Sequence, residues 1–593
     1  MKPNKENSML LDIKYIRENR KNGTPDCLYV VYKDLDTNAK YLQTVENPKI
    51  DIYFEKPEYR NHDYILESQS LDKLEKRTVH YKDIIKEIAK EAGPKVQAAL
   101  SNAYETRNFN AIKKLQMYPY VLGSDVDIRA WYRIQWLLKL NNNRVKVIDK
   151  GFMDIEADSY GFAGFVDAGQ CPINMVTVIN ARDKISYTFV LREGRCRSGE
   201  LYEKQQRELA ELEDNLDDFK KELNDLFDEK YGHLEYKLYF YDDERKMLVH
   251  LFQMINMIKL DIIGFWNMSF DMPYIIDRMN TLGLDPTEII SHPDFKIKEC
   301  KFHLDKKNFN IKDKNDYLKL TSYTQFICQM ELYAAERKGG QELRSTSLNA
   351  VSEAELGDKK VDINEEGNIK TIYYTNIRKA IIYNIKDVLL QYGIENKVGD
   401  FDTLYIASYE NGVAYENVYK QTLSLSSIRY LSYLNQGRIT GNNPNILSMS
   451  KSMSDSDDDE DDDSYEGALV AHPAYNAYIC EELYGRKTNN IIRYSIDMDM
   501  SAFYPYTISI MNINPACLIF KVIIPRSTFT TEKKGVMKKI YHEHDELEYA
   551  ENDDMAKEIF DNFQTGNVLT TGYKWLNLPS AEECLEYLER KMK

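Results

Sequence analysis

The 593-residue sequence contains eight cysteines and no C-x-x-C pair. Without that spacing a structural zinc site has no ligand frame, so Cys27, Cys171, Cys196, Cys300, Cys328, Cys480, Cys517 and Cys584 read as free thiols of a reducing, cytoplasmic setting. No stretch approaches the roughly 18 uninterrupted apolar residues of a membrane span, so a membrane-embedded chain is not expected. The opening MKPNKENSMLLDIKYIREN places charges where a signal peptide needs its apolar segment. Internal repeats are lacking as well. Positive charge is in deficit, with 78 Lys+Arg against 95 Asp+Glu and a net charge of −17. That deficit counts against a nucleic-acid partner only if it is evenly spread, and it is not. The run SDSDDDEDDDS from Ser454 to Ser464 holds eight acids and leaves −9 for the rest of the chain. Like charges this close repel and bury nothing, so residues 442–464 are expected to form a disordered linker.

What the sequence does have is material for several cores: 43% of its residues are hydrophobic and 12% aromatic. At about 150 residues per domain the length suggests roughly four domains. Residues 1–145 alternate short apolar runs (CLYVVY, IDIYF) with charged stretches and a helical pattern near Tyr81 to Ala99, which predicts a small α/β domain. From Lys146 a second core begins. KVIDKGFMDIEAD reads as a buried strand, and INMVTVIN and ISYTFVL as further strands of a mixed sheet. Between Glu200 and Gly232, Leu209, Leu212, Leu216, Phe219, Leu223 and Leu226 fall at steps of three and four. Three heptads are short for an independent coiled coil, and the spacing predicts an amphipathic helix or hairpin lying on its own domain.

The chemistry is carried by acids. Asp154 and Glu156 stand at i and i+2 of a strand, where the pleat points both to one face. Two carboxylates so placed repel unless a divalent cation takes up their hard oxygens. In IIGFWNMSFDMPYIIDRM an apolar strand ends at Trp266, Asn267 follows as a helix cap, and Phe270 and Asp271 fall in the first helical turn. Open α/β sheets bind ligands at such strand-to-helix switches. In KAIIYNIKDVLLQYGIE, Tyr383 and Asp387 lie four apart on one helix face. If Asp387 completes a set of four acids, two metal ions about 3.5–4 Å apart could be held for phosphodiester hydrolysis.

D-I-E, N-x-x-F-D and Y-x-x-x-D in this order resemble the three exonuclease motifs of family B DNA polymerases, the DEDDy proofreading type. The stretch YDDERKMLVHLFQMINMIKLDIIGFWNMSFDMPYI is similar over its whole length to the corresponding stretch in polymerases of tailed bacteriophages. The resemblance implies a multidomain α/β protein with a ribonuclease-H-like exonuclease domain. It implies Asp154, Glu156, Asp271 and Asp387 as ligands of two Mg²⁺ ions, with Mn²⁺ as a substitute. Tyr383 would position the attacking water, and Asn267 and Phe270 would contact DNA. The Asn-to-Phe-Asp spacing is one residue shorter here than in many relatives.

Beyond the acidic run, IRYSIDMDMSAFYPYTISIMNINP resembles polymerase motif A, D-x-x-S-L-Y-P. Counting back from Pro505 assigns the metal-binding acid to Asp499 rather than Asp497, with Ala502, Phe503 and Tyr504 against the incoming nucleotide and Tyr504 under its sugar. The acidic motif Y-G-D-T-D-S and the fingers motif are not found after it. Gly399 to Tyr405, GDFDTLY, imitates the former but precedes motif A and is not expected to be catalytic. The domains implied are residues 1–145, N-terminal; 146–395, 3′-to-5′ exonuclease; 396–441, a return to the N-terminal domain; 442–464, the linker; and 465–593, a partial palm. The leading expectation is one subunit of a split viral DNA polymerase in the cytoplasm of an infected bacterial host. Its partners would be primer-template and single-stranded DNA, dNTP, a sliding clamp, and a second polypeptide supplying fingers, remaining palm and thumb. Local basic surface for DNA is sought in Lys306, Lys307, Lys312 and Lys314. The alternatives are a stand-alone exonuclease with a vestigial palm and a non-catalytic DNA-binding scaffold.

Overall fold

The computed structural model describes residues 7–17, 25–62, 66–108, 112, 118–138, 148–162, 169–338, 345–362 and 369–442, together with the backbone of four strands between 520 and 549. Of the expected linker 442–464, Asn442 is buried and donates to Val121 O at 3.1 Å and Ser124 Oγ at 2.9 Å, so the folded part extends to it; residues 443–464, with the acidic run, and Asp497, Asp499, Ala502, Phe503 and Tyr504 lie outside the described residues. The chain divides into two units, Met1–Asp463 and Ser464–Lys593.

The first unit opens with an antiparallel sheet of β1 (Ser8–Ile16), β2 (Cys27–Asp34) and β3 (Lys40–Glu46), in that order. The CLYVVY run supplies the middle strand, buried from Cys27 to Lys33. Next come β4 (Lys49–Glu55), β5 (Ser68–Ser70), β6 (Leu74–His80), α1 (Ile84–Ala92), α2 (Pro94–Glu105), β7 (Val121–Leu122) and α3 (Ile128–Leu137), with β4 pairing to both β6 and β7.

The second core is built on β8 (Lys150–Ala157), β9 (Ile173–Asn180) and β10 (Ile185–Leu191), an antiparallel meander. Helices α4 (Glu200–Asp214) and α5 (Leu216–Tyr231) then lead to β11 (Glu235–Tyr241), parallel to β10. After α6 (Glu244–Ile258), strand β12 (Ile262–Phe265) pairs parallel with β8, placing Phe265 beside Met153. The chain continues through α7 (Met268–Thr281), α8 (Pro286–Ile290), the hairpin β13 (Cys300–His303) and β14 (Tyr317–Leu320), and β15 (Gln325–Cys328). The resulting six-stranded mixed sheet has the order β11-β10-β9-β8-β12-β15. It is followed by α9 (Gln329–Glu336), α10 (Leu348–Leu356), α11 (Ile369–Thr375), α12 (Ile377–Val398), α13 (Asp400–Glu410), α14 (Gln421–Asn435) and β16 (Arg438–Thr440), which pairs back to β5.

The pleat of β8 sorts its side chains. Met153 and Ile155 enter a core shared with Leu248, Leu251 and Met272, from α6 and α7, while Phe152 joins the core on the opposite face, where α12 packs. Helix α12 is 22 residues long, capped by the Asn376 side chain on Lys379 N and closed by left-handed Gly399. Most of its residues are buried, including the polar Asn384, Asp387 and Gln391, so its depth in the fold comes from packing rather than from an amphipathic stripe. Gly264 in β12 is required by close approach: a Cβ there would lie 2.5 Å from the Phe401 ring of α13.

The heptad-spaced segment is two helices broken at Asn215, packed on α11 and α12. Leu209, Leu212, Phe219 and Leu223 are buried, whereas Leu226 is exposed. Among the described residues no helix is long and apolar enough to cross a membrane. In the second unit β17 (Phe520–Ile523), β18 (Arg526–Lys533), β19 (Val536–Glu543) and β20 (Glu546–Tyr549) pair as β17 with β20 and β18 with β19, both antiparallel.

A buried charge cluster joins the N-terminal sheet to the roots of β8 and β12. Lys33 Nζ lies 2.7 Å from Asp261 Oδ2 and 3.0 Å from Asp149 Oδ2, and Lys40 Nζ lies 2.5 Å from Asp261 Oδ1. Burial pushes the Asp261 carboxyl up, but Lys40 and Lys33 outweigh it and hold the group below the usual carboxylate range. Lys33→Met leaves the two acids short of a buried cation, and a loss on the order of 3–5 kcal/mol is expected. The measurement is the midpoint of urea unfolding followed by tryptophan fluorescence, which should fall clearly below that of the unsubstituted chain.

Candidate metal centre

Because β8 alternates, Asp154 and Glu156 share the face of Phe152, the one α12 covers. One carboxylate oxygen from each of Asp154, Glu156 and Asp387 lies within 4.8 Å of the others. Asp271 arrives by a different route. Strand β12 ends alongside Met153, one residue short of Asp154, so the first turn of α7 starts beside the acids. Asp271 stands outside the tight group of three, yet its carboxyl is buried and feels the charges of Asp154 and Glu156. Residues separated by up to 233 positions are thus gathered at one end of the sheet.

Asn267 occupies the cap position of α7, but its side chain makes no capping hydrogen bond. Instead its carbonyl accepts from Phe270 N at 3.0 Å and Asp271 N at 3.2 Å. Phe270 is about half exposed, with its ring tilted against Tyr274 at 5.5 Å. Tyr383 lies one helical turn before Asp387, and burial, followed by the charge of Asp387, pushes its phenol pKa up, so it keeps its proton.

Two neighbours carry no mark in the sequence. Lys360 Nζ lies 2.7 Å from Asp387 Oδ2 and 3.3 Å from Tyr383 Oη. Asn384 Nδ2 donates to Asp154 Oδ2 at 3.2 Å. Lys360 sits in a loop rich in lysine and aspartate, where no spacing sets it apart. Asn384 is adjacent to Tyr383, and only the packing angle of α12 shows that it meets β8.

Burial dominates the electrostatics. It raises Asp154 to about 7, with the charge of Asp387 adding to the shift. Glu156 and Asp271 are pushed well above their usual range by burial and then by neighbouring carboxylates. Asp387 is raised by burial and partly relieved by Lys360. Asp387 Oδ1 is buried with no hydrogen-bond partner. Hard oxygen donors, excess negative charge and an unsatisfied carboxylate oxygen fit a divalent cation.

The other candidates fare differently. The acids of GDFDTLY are occupied in ion pairs, Asp400 with Arg337 at 2.9 Å and Asp402 with Lys150 at 2.6 Å. Of the lysines sought as basic surface, Lys314 is taken up by Asp316 at 2.6 Å and Glu331 at 3.5 Å, while Lys306 is exposed in the loop between β13 and β14.

Residues 154–351 match the exonuclease domain of DNA polymerase family B. Exonuclease domains of this family have a ribonuclease-H-like fold and use divalent metals. The chain is 23% identical over 244 residues to DNA polymerase 1 of Aeropyrum pernix, covering 39% of this chain and 22% of that protein. It is 25% identical over 166 residues to the DNA polymerase delta catalytic subunit of Arabidopsis thaliana, covering 27% of this chain and 14% of the relative. A DNA polymerase of Orgyia pseudotsugata multicapsid polyhedrosis virus is 25% identical over 170 residues, 28% of this chain and 16% of the relative. The chain therefore spans less than a quarter of the length of each of these relatives.

The raised acid pKa values have a definite sign. An unfolded Asp titrates near 3.8, whereas folded Asp154 holds its proton to about 7. The site's contribution to stability is complete below the lower value and is lost as pH rises through the higher one. A bound divalent cation offsets that loss, so Mg²⁺ or Mn²⁺ should raise the melting temperature more at pH 8 than at pH 5.5. At one hundred times Kd the gain is about 2.7 kcal/mol. Differential scanning fluorimetry of the wild type and Asp387→Asn checks this, with the substitution expected to remove most of the metal-induced shift.

Proposed function

We propose that this chain is a metal-dependent 3′-to-5′ exonuclease that acts on single-stranded DNA ends, and that it forms the N-terminal part of a bacteriophage-type family B DNA polymerase. The observation that carries the nuclease reading is the convergence of Asp154, Glu156 and Asp387, with Asp271 beside them: Asp154, Glu156 and Asp271 belong to the segment 154–351 that matches a family B exonuclease domain, and α12 brings Asp387 to them from beyond it.

In this reading Asp154, Glu156, Asp271 and Asp387 hold the metal. Mg²⁺ bound at these carboxylates supplies the positive charge that phosphodiester hydrolysis needs on its attacking and leaving oxygens. Tyr383 keeps its phenol protonated and orients the attacking water. Asn384 fixes the rotamer of Asp154 through its amide hydrogen bond. Lys360 presents an ammonium beside Asp387, where it balances part of the site's negative charge and meets the phosphate of an incoming strand. Phe270, half exposed at the mouth, offers its ring face for stacking a terminal base. Asn267, at the same turn, lies within the DNA-facing edge.

For synthesis, Asp499 would hold metal, and Ala502, Phe503 and Tyr504 would receive the dNTP, with Tyr504 beneath its sugar. A second polypeptide would supply fingers, remaining palm and thumb, and a sliding clamp would tether the assembly to primer-template DNA. The setting is the cytoplasm of an infected bacterial host. Motif A in this sequence supports a part in synthesis.

The test is a 5′-labelled single-stranded oligonucleotide incubated with the full chain and Mg²⁺. Shortening from the 3′ end, abolished by chelator and by Asp154→Ala with Glu156→Ala, is the expected result. Tyr383→Phe should lower kcat by roughly 10²-fold, the scale of losing a positioned catalytic group. Primer extension should be absent from the chain alone; extension by the single chain would overturn the split reading, and a wild type without metal-dependent cleavage would overturn the nuclease.

A further inference from the structure

The α4–α5 helix pair is the one motif singled out by its spacing that the nuclease reading leaves without a task. Its last residue, Tyr231, ends α5 immediately before Gly232, and its ring lies against α12. The phenol donates to Asp358 Oδ2 at 2.6 Å. Lys386, on α12, donates to the same oxygen at 2.5 Å and to Tyr231 Oη at 3.2 Å, with its ammonium 4.8 Å from the Tyr231 ring centre and 5.6 Å from that of Phe227. Lys230 adds a third contact to Asp358 at 3.1 Å. Burial pushes Asp358 up, but the hydrogen bonds from Lys386, Tyr231 and Lys230 outweigh it and hold the carboxylate ionised.

Helix α12 is shaped for this contact. Gly393, seven residues and about two turns beyond Lys386, lies where an added Cβ would come within 2.9 Å of both the Tyr231 ring and Leu356. A glycine inside a helix costs about 1 kcal/mol relative to alanine, and here it lets α5 and the end of α10 close onto α12 together. Asp358 is two residues from Lys360, whose backbone N–H is itself fixed by Asn349 Oδ1 at 3.0 Å. The loop that presents Lys360 is therefore pinned from α10 by Asn349, and from α5 and α12 through Asp358.

We infer that Tyr231, Asp358 and Lys386 form a positioning clamp through which the end of α5 holds Lys360 over the acid cluster. Its mechanistic meaning rests on the nuclease reading; the clamp itself rests on the contacts above. A purely structural triad would stabilise packing without setting the location of the Lys360 ammonium.

Two measurements on the full chain separate these cases, using Tyr231→Phe, which keeps the ring, and Asp358→Ala. The first, made without metal, is the rate at which an amine-reactive ester acylates Lys360, resolved by peptide mass spectrometry with exposed Lys76 as the internal reference. Loosening the clamp should raise Lys360 labelling about five-fold, the scale of one lost hydrogen bond, with Lys76 unchanged. The second is nuclease kcat and KM in wild-type and Lys360→Ala backgrounds. The expected result is a kcat loss of about five-fold at unchanged KM in the wild-type background and no further loss once Lys360 is gone, since coupled residues are non-additive. Tyr231→Phe carries both measurements if Asp358→Ala does not fold. Wild-type Lys360 labelling in the folded variants, or losses that multiply in the double variants, overturns the clamp. Faster Lys360 labelling in a protein whose wild type cleaves no DNA upholds the clamp and removes the nuclease reading instead.

Discussion

Four carboxylates gathered at one end of a sheet repel one another, and the surrounding fold has to hold them there against that repulsion. The pleat of β8 fixes two of them to one face, the parallel pairing of β12 with β8 delivers the start of α7 beside them, and α12 lies across the sheet to bring the fourth. None of these elements can shift without moving an acid. Lys360 lowers the pKa of all four, so a loop residue supplies the positive charge while the sheet and helices supply the negative.

The acids were legible in the sequence because strands and helices have short, fixed periods. A two-residue period put Asp154 and Glu156 on one face, the end of an apolar run placed Asp271 in a first helical turn, and a four-residue step aligned Tyr383 with Asp387. Lys360 and Asn384 escaped because nothing local decides their role. One depends on how a loop folds over the site and the other on the angle at which α12 meets β8. The same limit explains α4 and α5. Heptad spacing marked a sticky edge from Leu209 to Leu226, but the break at Asn215 and the exposure of Leu226 follow from packing on α11 and α12. GDFDTLY shows the converse, a local pattern that imitates a motif while its acids are engaged by Arg337 and Lys150 and its phenylalanine fills the space over Gly264.

Two sets of buried polar groups stand apart along α12. Asn384 and Asp387 face the acids, with Asp387 Oδ1 left unsatisfied. Lys386 faces the other way, into the aromatic rings of α5, and is fully engaged there. Adjacent residues on one helix thus face the acid cluster and a supporting contact. That accounts for a helix buried nearly all round while rich in polar side chains.

The ion cluster at the roots of β8 and β12 bears on how separable the parts are. In sequence the segment that matches an exonuclease domain is contiguous, residues 154–351, and a cut near residue 146 looks clean. In three dimensions Lys33 and Lys40 belong to the first sheet and Asp149 and Asp261 to the second. A piece beginning at residue 146 would carry both aspartates and neither lysine, at the base of the two strands that lead to Asp154 and Asp271. The segment that matches an exonuclease domain is therefore not a portable cassette: the N-terminal sheet is part of its foundation.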